Sequence, residues 1–252
     1  MQLPILAADI GIVRILELEN TSVVDIIQND LRSAAILREF GVDYSMPGRR
    51  SLGQMCEDQG VDPRDIEIRL SRLSEAPIRP PDFENMSLTA LTDHVENIHH
   101  MYVKNAIPTL SGMCTQAEEV CKEGDCDIEE LKYLWKSISV EQLDHMMKEE
   151  LALFPYIRNL DRNEIDMVAP AFGSITKTIS MMESEHIRSS RDFRLLYNLT
   201  NKYQAPESAH KLVQGLFKRL KEFDNKVHLH TYIENNFLFP SAVELERKLG
   251  KR

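Results

Sequence analysis

Helix-breaking residues and long apolar runs are both scarce in this sequence. Its 252 residues include only 10 glycines and 11 prolines, and apolar residues recur at helical spacing over most of the chain. These features predict a mostly α-helical protein. The longest apolar runs fall well short of the ~20 residues that a membrane-spanning helix needs, so no membrane association is expected. Residues 1–20 also lack the basic segment and clean apolar core of a signal peptide.

Basic residues and cysteines are too few for two further classes of protein. The chain carries a net charge of −10 and has no run of Lys or Arg, whereas a duplex-binding protein needs a basic face. We therefore expect no nucleic-acid partner. The cysteines are Cys56, Cys114, Cys121 and Cys126. They are too few for a disulfide scaffold in a chain of this length. Without an export signal, we expect a cytoplasmic location and at least some free thiols.

Glycine and proline positions divide the chain into four regions. Residues 1–20 are interpreted as an N-terminal arm of unassigned role, and residues 21–76 as a small helical domain. The proline-rich stretch within 77–86 is interpreted as a linker. Helical periodicity then resumes over residues 87–252. This last region predicts a bundle of long helices with short connections, at 87–118, 128–158, 165–200 and 207–246.

An internal repeat is the most informative feature of the sequence. Residues 145–155 (HMMKEELALFP) and residues 230–240 (HTYIENNFLFP) both read His-x3-Glu-x3-Leu-Phe-Pro. His100 lies upstream of the first copy and His186 upstream of the second. The interval between these two histidines is nearly the same as the interval between the two copies. The repeat predicts two helical hairpins, each of which carries a histidine and then a His-x3-Glu pair.

The repeated spacing predicts a metal site. Residues four apart share one helix face, so His145 can act with Glu149, and His230 with Glu234. Two buried carboxylates that face each other repel, and one would take up a proton. Two metal ions between them, with each glutamate bridging both, would remove this conflict. The predicted ligands are His100, His145, Glu149, His186, His230 and Glu234. Nitrogen and carboxylate ligands suit iron, with manganese and zinc as alternatives.

A plainer interpretation exists for each part of this pattern. One His-x3-Glu pair alone is more simply a surface or capping pair, but two copies at matching offset favour a shared chemical role. The other histidines are interpreted as non-ligands, and they are His94, His99, His210 and His228. His94 and His99 lie ~120° and ~100° around the helix from His100.

These motifs resemble a known family. The segments HMMKEE (145–150), MESEH (182–186) and HTYIENNFLFP (230–240) are similar to those of the iron–sulfur cluster repair di-iron proteins, also known as repair of iron centres proteins. The segment ILREFGVDYSMPGRRSL (36–52) resembles the small N-terminal domain of that family. The resemblance implies an all-α fold, in which a small helical domain precedes a hemerythrin-like up-down four-helix bundle.

The resemblance also implies a function. It suggests two non-haem, carboxylate-bridged iron ions held by the six predicted ligands. Such a protein would repair iron–sulfur clusters damaged by nitrosative or oxidative stress, by supplying iron rather than as a conventional enzyme. Its partners would be damaged iron–sulfur proteins and small diatomic ligands such as nitric oxide, and a homodimer is compatible with the family. The alternatives are an oxygen or nitric oxide binding or sensing protein, a metal-free helical interaction protein, and a nitric oxide reductase.

Two positions depart from the family pattern. The family has a further histidine ligand late in the first bundle helix, and Cys121 stands nearest to that position here. Cys121 is thus a candidate thiolate ligand; the alternatives are a loop cysteine without metal and an open position on one iron. Members also often carry a Cys-Cys pair in the N-terminal domain, where this sequence has Ser45 and Met46. A thiol-dependent step in that domain is therefore not expected.

Overall fold

The structure is a computed structural model that describes residues 18–73, 75–121, 127–164 and 174–250. Over these residues it contains helices and no named strand, so the predicted all-α class is confirmed. The chain divides into two compact units between Pro81 and Asp82. Most of the predicted N-terminal arm lies outside the described residues.

The first unit is built from short helices whose starts follow from capping residues. The Oγ atom of Ser22 accepts a hydrogen bond from the backbone N–H of Val24 and so caps the first helix. Ser51 and Gln54 form a reciprocal capping box at the start of the third. The helices are α1 (Val23–Asn29), α2 (Arg32–Glu39), α3 (Leu52–Gln59) and α4 (Pro63–Ser71).

A buried serine occupies the position of the family's cysteine pair. The hydroxyl of Ser45 donates to Asp43 Oδ1 at 2.5 Å, and its backbone N–H donates to the same oxygen at 3.0 Å. Both residues are buried. This turn is therefore held by hydrogen bonds, and its residues Ser45 and Met46 supply no thiol.

The second unit contains four long helices in its described part, and three of them include a π-helical turn. Their ends lie close to the predicted ones, although residues 165–173 of the predicted third helix lie outside the described residues. The helices are α5 (88–120, with the π-turn Val95–His100), α6 (128–161, with the π-turn Glu149–Leu153), α7 (Ile175–Leu199) and α8 (211–249, with the π-turn Glu234–Leu238). No described helix is both long and apolar enough to cross a membrane.

The four long helices pack as an up-down bundle. Helix α5 packs against α6 and α8, and α7 packs against α6 and α8. Neighbouring helices run antiparallel. His100 of α5 contacts Glu150 of α6, whereas Ser111, later in α5, contacts Trp135, which is earlier in α6. Each long helix thus presents one face to a shared interior.

An apolar core fills one end of this interior. The ring of Phe223 lies 5.0 Å from that of Trp135 and 6.1 Å from that of Phe193, measured between centroids. All three side chains are buried, and burial of a large apolar side chain contributes about 1.5–3 kcal/mol each. This core leaves the part of the interior near the π-turns to polar residues.

Candidate metal centre

The two repeated segments produce the same local distortion of the helix. The π-turns Glu149–Leu153 and Glu234–Leu238 each begin at a predicted ligand glutamate. Pro155 and Pro240 stand at the second residue of the α-helix that follows each turn. Since proline has no N–H for the regular helical hydrogen bond, the wider π-turn accommodates it. The repeat therefore fixes the direction in which each glutamate leaves its helix.

The structure brings all six predicted ligands together inside the bundle. Even the most exposed of them, His145, has only 6% of its surface accessible. They form two groups of four residues that share Glu149 and Glu234, and in each group the ligand atoms lie within 4.8 Å of one another. Group A adds His145 and His186 to the shared glutamates. Group B adds His100 and His230.

The shared glutamates each direct one oxygen toward each group. Oε1 of Glu149 lies 3.3 Å from His145 Nε2 in group A, and Oε2 lies 3.3 Å from His100 Nε2 in group B. Glu234 repeats this arrangement. Its Oε2 atom lies 3.2 Å from His186 Nε2 in group A, and its Oε1 atom lies 2.9 Å from His230 Nε2 in group B. Both carboxylates therefore lie between the two groups and contact an imidazole of each.

The imidazoles of each group face each other through Nε2. This distance is 3.0 Å between His145 and His186, and 3.1 Å between His100 and His230. All four carboxylate oxygens are buried without a well-directed hydrogen-bond donor among the described residues. Converging ring nitrogens and unsatisfied carboxylate oxygens are costly in a protein interior. A divalent cation in each group would satisfy both sets of atoms, so these residues fit a metal pair.

Three of the four imidazoles also bind an acceptor through the outer ring nitrogen, Nδ1. The pairs are His100 with Glu150 (2.8 Å), His145 with Glu185 (2.9 Å) and His186 with Asn235 (2.9 Å). Glu150 and Glu185 are paired in turn with Lys104 and Lys148, each at 2.6 Å. A proton held at Nδ1 leaves the Nε2 lone pair free for a cation, as in most metal-bound histidines. We call Glu150, Glu185 and Asn235 the outer acceptors.

The sequence interpretation missed the outer acceptors, although their positions carried a pattern. Glu150 and Asn235 each directly follow a ligand glutamate, and Glu185 directly precedes His186. It also missed two aromatic contacts within the repeat. Phe154 stacks on His100 with an interplanar angle of 17°, and Phe239 stacks on His186 with an angle of 5°.

Charges inside the site are coupled strongly. Burial and Glu234 act to raise the pKa of Glu149, but the neighbouring imidazoles outweigh them and lower it. Burial alone would lower the pKa of His145, yet Glu149 and Glu185 raise it to about 10. The pKa of His230 lies well below its usual value because of burial and the charge of His100. The carboxylates thus stay ionised beside a protonated His145, and a bound cation would replace that proton.

Cys121 is the one predicted candidate ligand that the structure contradicts. It caps the end of α5, and the whole α-helical segment Met101–Val120 separates it from His100. Because a helix rises about 1.5 Å per residue, this segment places the two residues roughly 30 Å apart. Cys121 packs instead against the apolar core, so asymmetry of the centre cannot come from a thiolate at this position.

The other two described cysteines belong to neither group. Cys56 and Cys114 are buried free thiols, and burial raises the pKa of Cys56 to about 11 and that of Cys114 to about 12. Cys126 lies outside the described residues. The expectation of at least some free thiols is confirmed at Cys56 and Cys114.

The four remaining histidines belong to neither group. His99 is buried, its pKa falls to about 3 mainly because of burial, and its ring stacks on that of His230 with centroids 5.9 Å apart. His94 contacts His99 and Phe83 through ring faces and edges. His228 is paired with Asp224 and His210 caps α8. His99 therefore adjoins the site through the ring of a predicted ligand, although it is not a ligand itself.

A polar cleft between α6 and α7 reaches the site. Its inner end is formed by the ligands His145, His186 and His230, and its mouth includes the charged side chains Lys148 and Arg188. Water and small molecules therefore have a path to group A. The site is buried but not sealed.

Two groups of imidazoles around a shared pair of carboxylates, inside a helical bundle, define a protein with buried clusters that can hold metal ions. No protein-family model matches the chain. It is 28% identical over 212 residues to the Iron-sulfur cluster repair protein YtfE of Escherichia coli (strain K12 / DH10B), a match that covers 84% of this chain and 91% of that protein. The protein of the same name from Shigella boydii serotype 4 shows the same identity and coverage. The predicted resemblance is thus confirmed: the chain is similar, over most of its length, to proteins named for iron–sulfur cluster repair.

Proposed function

We propose that this protein is a di-iron protein that helps repair iron–sulfur clusters damaged by nitrosative or oxidative stress, by supplying iron. The observation that carries the proposal is the position of Glu149 and Glu234, each of which directs one oxygen to either histidine pair. The names of the relatives support it, because they give iron–sulfur cluster repair as the function of those proteins.

The chain supplies four ligand atoms to each metal position, namely two imidazole nitrogens and two carboxylate oxygens. Iron bound there would provide a cation with open positions, which suits exchange with other ligands. The outer acceptors orient three of the imidazoles, and burial excludes most competing water.

A second candidate function rests on the same open positions. The polar cleft between α6 and α7 reaches the ligands, so a small diatomic molecule could enter and bind. An oxygen or nitric oxide binding protein would use this path but would keep its iron through many binding cycles. Retention of metal during turnover therefore separates the two functions.

The test combines metal analysis with repair of a damaged enzyme. The purified full chain should bind two iron ions, and it should reactivate a nitric-oxide-damaged iron–sulfur enzyme in the presence of a reductant. The double variant Glu149→Gln, Glu234→Gln should lose both properties. Glu119→Gln, an exposed change on α5, serves as the matched control and should keep both. Reactivation by the double variant at the native rate would contradict the proposal, and reversible diatomic binding without iron loss would favour the second function.

A further inference from the structure

The outer contacts follow the internal repeat at one pair of positions. Glu150 directly follows Glu149 in α6 and accepts a hydrogen bond from His100 on the neighbouring helix α5. Asn235 directly follows Glu234 in α8, and it pairs in the same way with His186 of α7. One imidazole of each group is thus held by a residue at the same place in the repeat.

The other pair of positions breaks the repeat. In group A, Glu185 directly precedes His186 in α7 and accepts a hydrogen bond from Nδ1 of His145 at 2.9 Å. The equivalent residue in α5, directly before His100, is His99. Instead of accepting a hydrogen bond from His230, His99 lies against it with the two rings inclined at 25°. A flat ring thus replaces a carboxylate.

His230 is left without an outer acceptor as a result. Its Nδ1 atom is buried and has no hydrogen-bond partner among the described residues, and the same holds for Nδ1 of His99. His230 itself is only 1% exposed. Group A therefore has two imidazoles with outer acceptors, whereas group B has one.

The missing contact has a known physical consequence. A carboxylate that accepts a hydrogen bond from Nδ1 fixes the ring and makes Nε2 a stronger donor, and loss of such a partner typically weakens metal binding by about 10–100-fold. The bridging carboxylates cannot offset this difference, because both groups share Glu149 and Glu234. The inequality must come from the imidazoles and their neighbours.

We infer that group A holds its metal more tightly than group B, and that the iron this protein gives up leaves from group B, because His99 stands where group A has Glu185. The inference rests on the proposed function, since it names the position from which iron is supplied. His99 is a positioning residue here: it acts on the metal through His230.

Anaerobic titration of the metal-depleted full chain with ferrous iron, against a chromophoric chelator, tests the inference. The wild type should show two dissociation constants that differ by about 10–100-fold. His99→Glu should strengthen the weaker position, and Glu185→His, which copies the group B arrangement into group A, should weaken the tighter one. Glu183→His, on the same helix α7, should change neither. If the buried carboxylate of His99→Glu prevents folding, as judged by helicity, His99→Gln supplies a neutral acceptor for the same test.

A second readout locates the first metal. Crystals of protein loaded with one equivalent of metal should show the anomalous signal in group A. A signal in group B, or two equal dissociation constants in the wild type, would overturn the inference while leaving the proposed function in place. Failure to bind any metal would overturn both.

Discussion

The hairpins α5–α6 and α7–α8 contain the same ligands but differ in the residues around them. Each contributes an upstream histidine, a His-x3-Glu pair, and a phenylalanine that stacks on an imidazole. They differ at the residue before the upstream histidine, which is His99 in one hairpin and Glu185 in the other. Under the proposed function, repetition of the predicted ligands gives two metal positions, and divergence of one neighbour makes these positions unequal. The difference can be tested by experiments that range from the largest expected effect to the smallest.

Removal of one histidine from each group should separate the two positions. His100→Ala disrupts group B and should leave one tightly held metal. His186→Ala disrupts group A and should leave only the weaker position, so most metal is lost on desalting. Loss of a direct ligand should weaken its own position by more than the ~100-fold expected for an outer contact. Metal content after gel filtration is the measurement, with His210→Asn, which keeps a capping side chain, as the control. Equal retention by both variants would contradict unequal positions.

The stacked phenylalanines should be equivalent, in contrast to the outer acceptors. Phe154 and Phe239 are fully buried, so Phe154→Ala and Phe239→Ala should each lower the free energy of unfolding by about 3–5 kcal/mol. Denaturant unfolding of the metal-depleted protein measures this. A large difference between the two variants would show that the asymmetry extends to the packing of the imidazoles.

Metal affinity should fall as the pH falls. Without a cation the pKa of His145 is raised to about 10, so at neutral pH its ring carries a proton that a metal must displace. Each displaced proton changes the apparent affinity about tenfold per pH unit. Titrations between about pH 6 and pH 8, below this raised pKa, should therefore show affinity for the tighter position that rises with pH. A pH-independent affinity would contradict the assignment.

The lysines that pair with the outer glutamates should matter least among the polar contacts. Lys104 and Lys148 are about half exposed, so water screens their ion pairs, and such pairs contribute about 0–1 kcal/mol. Lys104→Met and Lys148→Met should change metal affinity by less than about fivefold, on the order of that energy. A larger loss in one variant would assign a role in metal binding to that lysine.

Cys121→Ser should have no effect on metal binding. The side chain lies ~30 Å from His100 along the helix, and the serine hydroxyl is close in size to the thiol. Identical metal content and absorption spectra are expected for the variant and the wild type. Loss of a sulfur-to-iron band would contradict the position that the structure gives Cys121.

The six residues that meet inside the bundle could be predicted because their pattern is periodic. A spacing of four residues fixes which side chains share a helix face, and repetition of His145–Glu149 at His230–Glu234 showed that the two faces act together. The helix ends were predictable for the same reason. The sequence alone could also have excluded Cys121 as a ligand, because about 20 residues of one helix separate it from His100 and span ~30 Å.

The outer contacts could not be predicted in this way. Glu185 reaches His145 across a helix boundary, and its partner depends on how α6 and α7 pack, which no local spacing contains. The stacking of His99 on His230 likewise depends on how α5 and α8 are aligned along their axes, which places the two rings side by side. Periodicity identifies residues on one face, but pairs between faces become visible only when the helices are assembled.

The π-turns at Glu149 and Glu234 impose a constraint on the length of the chain. A π-turn holds one residue more than an α-turn, so deletion of a single residue such as Ala152 would let the regular helix close. The residues beyond would keep roughly the same helix face, but the directions of the side chains within the turn, which begins at Glu149, would change. Related sequences should thus tolerate many substitutions in this turn but neither an insertion nor a deletion. The geometry of the site thus depends on the number of residues in each π-turn as well as on which residues they are.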